Sequence, residues 1–319
     1  MKRSNTVALA GVLTATAFAA VLAIAGALRG ADPVVQYDRE SRYYRIRVIE
    51  YPDEGRRCLH FSKSRGIQSS MFLDDPVRLD LRYSKTMIAA LALVPEAKDV
   101  LVLGLGGASI PKFIQKHFPD IRMDVVELDP DVVKVCQQYF AFKGTPNTRV
   151  IVMDGRMYLK RTDRRYDVIM LDAYAADHIP FHLTTQEFVQ LVKDHLKPGG
   201  IVASNLWEHA VNRFYHAELK TFQQAFPRVY LLPAGTSGNI IVFASTEAQA
   251  VTREEWGRRA RAVGDGRDLG FDLADLVARE YQDYTDQPNG EKPLTDDMAP
   301  VNTFRREHPK HFEKEQGQP

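Results

Sequence analysis

Three glycines and three acids stand at the points of this sequence where chemistry is possible. Gly104, Gly106 and Gly107 close the run "VLVLGLGG". Glu127 ends "RMDVVE", Asp154 ends "TRVIVMD", and Asp172 ends "RYDVIMLD". Glycine lets a backbone approach a ligand with no Cβ in the way. Glu127 lies a little over 20 residues beyond Gly104, where an acid facing a crevice can accept from ribose hydroxyls. Asp154 is suited to accept from the exocyclic amine of adenine, and Asp172 lies near whatever reacts. Each has a bland reading as well. The glycine turn could be a tight strand-to-helix connection, Glu127 a solvated helix-end charge, and Asp154 the N-cap of a helix from Arg156 to Lys160. Their succession at strand tips favours a nucleoside ligand. Ile110 stands near the place of the third glycine of the dinucleotide pattern, which argues against NAD.

The elements that must position these residues read as strands alternating with helices from Asp99 onward. "DVLVLGLG" is almost continuously apolar, as expected of a strand covered on both faces. A helix follows near Ile110 to His117. Asp129-Pro130 opens another, with Asp as N-cap and Pro in the first turn. "TTQEFVQLVKDHL" is a helix closed by Lys197-Pro198-Gly199-Gly200, "GIVASNLW" is a strand, and Tyr215 to Ala225 is a helix. "RVYLLP" and "NIIVFAS" form a closing pair. This is an α/β pattern, a doubly wound, mostly parallel sheet in which ligands lie beyond the carboxyl ends of the strands, and the Pro-Gly-Gly before the strand "GIVASNLW" fits a methyltransferase-like Rossmann sheet. The organisation expected is a leader or anchor over 1–29, a linker over 30–42, and a small N-terminal β-unit plus a helix ("SKTMIAALALV") over 43–95. A Rossmann-like nucleoside-binding domain over 96–250 follows, then C-terminal helices and a loop-like tail over 251–319.

Of 319 residues, 45% are hydrophobic, enough for one sizeable core. A net charge of +1 offers no field for nucleic acid. Two cysteines, Cys58 and Cys136, are no disulfide framework, and Cys136 reads as a core thiol. No Cys/His cluster has metal-ligand spacing, so no metal is expected. Val7 to Leu28 carries no charge. At about 1.5 Å per residue it just spans a hydrocarbon core of about 30 Å. Two readings stay open: an uncleaved single-span anchor, or a signal peptide with small residues at Ala25-Gly26-Ala27. Lys2 and Arg3 precede the run, while Arg29, Arg39, Arg42, Arg45 and Arg47 follow it. As an anchor this favours a membrane protein with a cytoplasmic body. The alternative is export after cleavage.

Residues from about Tyr44 to Val301 resemble the spermidine synthase family, the polyamine aminopropyltransferases, and most of all its membrane-associated, fused spermidine synthase-like branch. "GIQSS", "LVLGLGG", "VVELDP", "MDGR", "LDAYAADHIPFHLTTQEF" and "PLTDDMAPV" carry the resemblance, in order. It implies a transferase that moves an aminopropyl group from decarboxylated S-adenosylmethionine to a polyamine-type amine, with no permanently bound cofactor. It implies nucleoside contacts at Gln68, Gly104, Gly106, Gly107, Glu127, Asp154 and Gly155. Asp172 would orient and deprotonate the attacking amine, and Tyr83 and Asp177 would line the amine side.

The departures from the family fall on the amine side. Family members carry an acid in the glycine turn, where this chain has Ala108-Ser109. Tyr83-Ser84-Lys85 replaces Tyr-His-Glu, and an inward Lys85 would repel a cationic amine. Ala173-Tyr174-Ala175 replaces Ser-x-Asp-Pro, which leaves Asp177 two residues late. His178, in the same loop, reads as a surface histidine. Two other functions therefore stay open: a methyltransferase using intact S-adenosylmethionine on an unknown acceptor, and a non-catalytic, membrane-tethered nucleoside-binding protein. The partners expected are a small-molecule amine and, through residues 7–28 if uncleaved, the membrane; a homodimer is left open.

Overall fold

In a computed structural model of the chain, residues 31–61, 66–173 and 180–298 are described. The apolar run at 7–28 lies outside them. Among the described residues no helix is long and apolar enough to cross a membrane.

The N-terminal unit is a four-stranded antiparallel sheet in chain order: β1 (Val34–Glu40), β2 (Arg45–Tyr51), β3 (Arg56–Phe61) and β4 (Ser69–Phe72). β1 occupies what the sequence presents as a linker. Its side chains are mostly exposed, so it carries no burial alternation, and only its pairing with β2 makes it a strand. "SKTMIAALALV" forms two short helices rather than one, α1 (Arg82–Met87) and α2 (Ala90–Leu93).

The second sheet has eight strands in the order β12-β10-β11-β9-β8-β5-β6-β7. Its parallel part is β5 (Asp99–Leu103), β6 (Arg122–Glu127), β7 (Thr148–Val152), β8 (Tyr166–Leu171) and β9 (Leu196–Trp207). β10 (Arg228–Pro233), β11 (Asn239–Ser245) and the two-residue β12 (Gln282–Asp283) complete it antiparallel. The helices are α3 (Ser109–His117), α4 (Pro130–Tyr139), α5 (Gly155–Arg161), α6 (Gln186–Asp194), α7 (Tyr215–Ala225), α8 (Arg253–Gly264) and α9 (Leu273–Glu280). The Pro-Gly-Gly segment does not close α6. It lies inside β9, whose pairing with β8 shifts register there.

Every residue of β5 is buried. Val100 and Val102 join one core, and Leu101 and Leu103 join the other, on the opposite face of the sheet. This two-residue alternation explains why the strand reads as continuously apolar. Cys136 and Cys58 are both buried and free. The C-terminal helices share the first core. Trp256 on α8 is fully buried, its Nε1 donates to the Ala89 carbonyl at 3.1 Å, and its ring packs edge-on against Phe243 and Tyr230.

The chain runs β5, β6, β7 outward, then returns to lay β8 against the other side of β5. The crevice at this switch point lies between the tips of β5 and β8. Trp256→Ala should lower stability by about 3–5 kcal/mol, the usual cost of emptying so large a buried site. Urea unfolding monitored by circular dichroism measures this, and a loss below about 1 kcal/mol would show that α8 does not clamp the core.

Candidate active site

At the switch point the strand exits touch. The Asp172 N–H donates to the Leu103 carbonyl at 2.9 Å. Gly104 has φ +104°, and a Cβ there would fall 2.4 Å from the Asp172 carbonyl oxygen. The close approach that requires this glycine is therefore made by the protein's own backbone. Gly106, at φ +51°, and Gly107 are pressed from the other side. A Cβ on either would lie 2.8 Å from Ser69, and one on Gly107 would also meet Phe140 at 3.0 Å. The Ser69 hydroxyl accepts from the Gly107 N–H at 2.9 Å. The turn thus carries no carboxylate and has no room for one at Gly107.

Glu127 fastens the turn from below. Its two oxygens accept from the Leu105 N–H at 3.0 Å and the Asp129 N–H at 2.9 Å, with a further backbone bond from Gly106. The sequence reading has this carboxylate facing the crevice, but it is only 6% exposed. Burial raises its pKa, and the backbone donors oppose that rise. Asp129 caps α4 through the Asp131 N–H, and its other oxygen accepts from Ser41, in the loop between β1 and β2. The antiparallel sheet is therefore tied to the crevice at two points, Ser41 and Ser69.

Asp172 stands at the β8 tip, partly buried. Its Oδ1 accepts from Asn205 Nδ2 at 2.9 Å, and its Oδ2 accepts from the Tyr83 hydroxyl at 3.3 Å. Asn239 Nδ2 donates to Asn205 Oδ1 at 3.0 Å, which turns the Asn205 amide nitrogen toward Asp172. Loss of solvent pushes the Asp172 carboxyl up to about 7, against the pull of both donors. The Tyr83 phenol is raised well above its ordinary value, first by burial and then by Asp172. Gln68 lends its backbone carbonyl to the Tyr83 hydroxyl at 3.4 Å. Lys85 sits among Asp80, Arg82 and Arg78. Asp177 and His178 lie outside the described residues.

The adenine-side candidates form a corner. Asp154 is the N-cap of α5 and accepts from the Met157 N–H at 2.9 Å. Its second oxygen contacts His182 Nε2 at 2.8 Å, and this bond, ahead of the opposing effect of burial, lowers its pKa. Gly155 follows, with no room for a Cβ without pressing on Leu103 at 3.1 Å. Arg156 grips Asp296 with two bonds, at 2.7 and 2.5 Å, and Asp296 also accepts from Thr185 at 2.7 Å. The loop-like tail of the sequence is thereby strapped over this corner.

Sequence reasoning missed Ser69, Asn205, Asn239 and His182. Asn205 had a signal: it is a polar residue near the end of the apolar strand "GIVASNLW". Ser69 stands in "GIQSS", beside the residue that was singled out. His182 and Asn239 carry none.

Glu127→Gln should weaken both nucleoside binding and stability, because an amide cannot accept from both backbone partners. One buried N–H is left unmet, at a cost of about 1–3 kcal/mol. Thermal unfolding with and without methylthioadenosine measures this, and an unchanged melting temperature would remove Glu127 from the support of the turn.

The spermine/spermidine synthase domain matches residues 82–255, more than half of the chain. A polyamine aminopropyltransferase of Chromobacterium violaceum is 32% identical over 237 residues, covering 73% of this chain and 89% of that one. Another, of Vibrio vulnificus, is 34% identical over 200 residues, covering 61% of this chain and 66% of that protein's length. Among solved structures, a probable spermidine synthase of Corynebacterium glutamicum superposes with a TM-score of 0.65 at 20% identity, over 83% of this chain and 97% of that one. Human methyltransferase-like protein 13 in complex with SAH superposes at 0.54 with 29% identity, over 62% of this chain and all of that one. The match from α1 to the start of α8, across every strand tip described above, places this chain in the spermine/spermidine synthase family.

Proposed function

We propose that this chain transfers an aminopropyl group from decarboxylated S-adenosylmethionine to a polyamine-type amine. The observation that carries the reading is Asp172: a partly desolvated carboxyl at the switch point, oriented by Asn205 and Tyr83, beside a turn of three glycines.

The chemistry asks little else of the protein. The lone pair of an uncharged amine attacks the methylene carbon bound to the sulfonium. The carbon–sulfur bond breaks, its electrons go to sulfur, and neutral methylthioadenosine leaves. The new ammonium gives a proton to Asp172. Alignment of amine, carbon and sulfur supplies most of the acceleration, and the carboxylate adds the proton transfer. The nucleoside lies along the tips of β5, β6 and β7, with its ribose near Glu127 and its adenine in the corner of Asp154 and Gly155. To reach Asp154 directly, the adenine amine takes the place of His182 on that oxygen.

The methyltransferase reading is favoured by the 29% likeness to the human methyltransferase-like protein. Thermal-shift titration with decarboxylated donor, intact donor and methylthioadenosine separates the two, since a bound ligand raises stability as RT ln(1 + [L]/Kd). Preference for the decarboxylated donor supports aminopropyl transfer, and preference for intact donor supports the methyltransferase.

A base that titrates at about 7 gives kcat, at saturating amine, an acid limb: turnover rises with pH as Asp172 ionises and levels above about 7. Asp172→Asn should remove that limb and lower kcat by about two to four orders of magnitude with donor affinity kept. An unaltered pH profile in the variant would make Asp172 a structural acid.

For location we propose a body on the cytoplasmic side of the membrane, where a nucleoside sulfonium donor is made. Arg39 lies within β1, and Arg45 and Arg47 within β2. The compartment of the donor therefore carries this reading more than those charges do. Protease added to intact spheroplasts should spare a C-terminal tag, and loss of the tag without lysis would place the body outside.

A further inference from the structure

Two buried asparagines stand in line with the candidate base. Asp172 follows the last residue of β8, Asn205 lies near the end of β9, and Asn239 opens β11, on three neighbouring strands. β11 runs antiparallel to β9, so its first residue pairs with the last of β9 and lies at the ligand edge of the sheet. Asn205 is 5% exposed and Asn239 9%. Buried amide groups of this kind must find their partners within the protein. The Asn205 oxygen has one donor among the described residues, Asn239 Nδ2.

An amide has a donating end and an accepting end. With its oxygen taken by Asn239, Asn205 has only its nitrogen to offer Asp172. That end suits an ionised carboxylate, and it opposes the effect of burial on the acid. Without Asn239 the buried Asn205 oxygen lacks a donor, which is costly. The amide then gains by turning that oxygen toward Asp172, and only a protonated acid can donate to it. No other group makes this selection. The described side-chain partners of Asp172 are Asn205 from β9 and Tyr83 from α1, and the turn after β5 brings no titratable side chain. The Tyr83 hydroxyl can donate or accept, so it suits either form of the acid. Oδ1, held by a group that cannot accept, stays unprotonated, and a proton taken from an amine therefore goes to Oδ2. The turn that leads into Asn239 also adjoins the Tyr83 side: a Cβ on Gly235 would fall 2.7 Å from Nε of Arg82, the residue before Tyr83.

We infer that Asn239 is a positioning residue for the candidate base: it is not bonded to Asp172 itself, and through Asn205 it selects the ionised, proton-accepting form of that acid. This rests on the aminopropyl-transfer reading in taking Asp172 for the base.

The test labels asparagine side chains with nitrogen-15 in the full chain, which has seven of them, and follows their amide signals by NMR through a pH titration. In wild type the Asn205 and Asn239 amides should shift with one common midpoint, and both shifts should vanish in Asp172→Asn. This arm needs no variant at position 239. Asn239→Leu should move the Asn205 midpoint up by about one pH unit, as loss of a donor to a charged group implies. The acid limb of kcat should move up with it. Asn205→Leu should move that limb at least as far, and adding Asn239→Leu should move it no further, because the second residue acts through the first. An Asn239 amide indifferent to the ionisation of Asp172, an unmoved Asn205 midpoint in Asn239→Leu, or limb shifts that add in the double variant would overturn the proposal. The amide titration uses neither donor nor amine. A midpoint that moves while the limb of kcat stays would sink Asp172 as the base and leave this inference standing.

Discussion

The site depends on a constraint of space: three positions of one turn must have no side chain. Gly104 sits against the carbonyl of Asp172, and Gly106 and Gly107 sit against Ser69. One turn thereby joins three parts of the molecule, the β5 exit, the β8 exit and the small antiparallel sheet. Glu127 then draws the backbone N–H groups at Leu105 and Asp129 onto a single carboxylate. Glycines of this kind are commonly credited to a ligand's need for close approach. Here the protein's own atoms already require them, and a ligand would exploit a surface that packing has cleared.

Around that turn two aspartates are set to opposite tasks by their surroundings. Asp154 caps α5 and faces His182, and these bonds hold its pKa down. Asp172 has donors too, but loss of solvent outweighs them and leaves it near neutrality. A carboxylate held low is a fixed acceptor, and one held near 7 can take a proton and release it. The Asn239–Asn205–Asp172 relay matters because it fixes which end of an amide meets the acid, and with it the sign of the interaction.

The strand tips were legible because burial on both faces leaves unmistakable apolar runs, and the acids that end them stand out. The spatial order of those strands is a matter of three-dimensional pairing and was not read from the sequence. β1 was not legible, because an exposed strand has no periodic signature and is made by its partner. The glycines were found for a partial reason, since Ser69 and the Asp172 carbonyl meet them only in three dimensions. Glu127 was found, but the backbone N–H groups that hold it were not. Sequence spacing places an acid at a strand tip, but whether it turns outward to a ligand or inward to backbone N–H groups depends on the loop beside it.

The strap at the adenine corner has a consequence for the order in which the protein is made. Arg156 meets Asp296 across 140 residues of sequence, and the Gln186 N–H meets the Leu294 carbonyl. A ribosome delivers β5, the glycine turn and Asp172 long before it delivers either closing residue. On a nascent chain, therefore, the candidate base can be set in place while the corner at Asp154 is still open. Closing a loop that long is entropically slow relative to local pairing. The segment that carries Leu294 and Asp296 thus acts as a latch, and a chain stalled short of it has most of its core and an unclosed corner at Asp154.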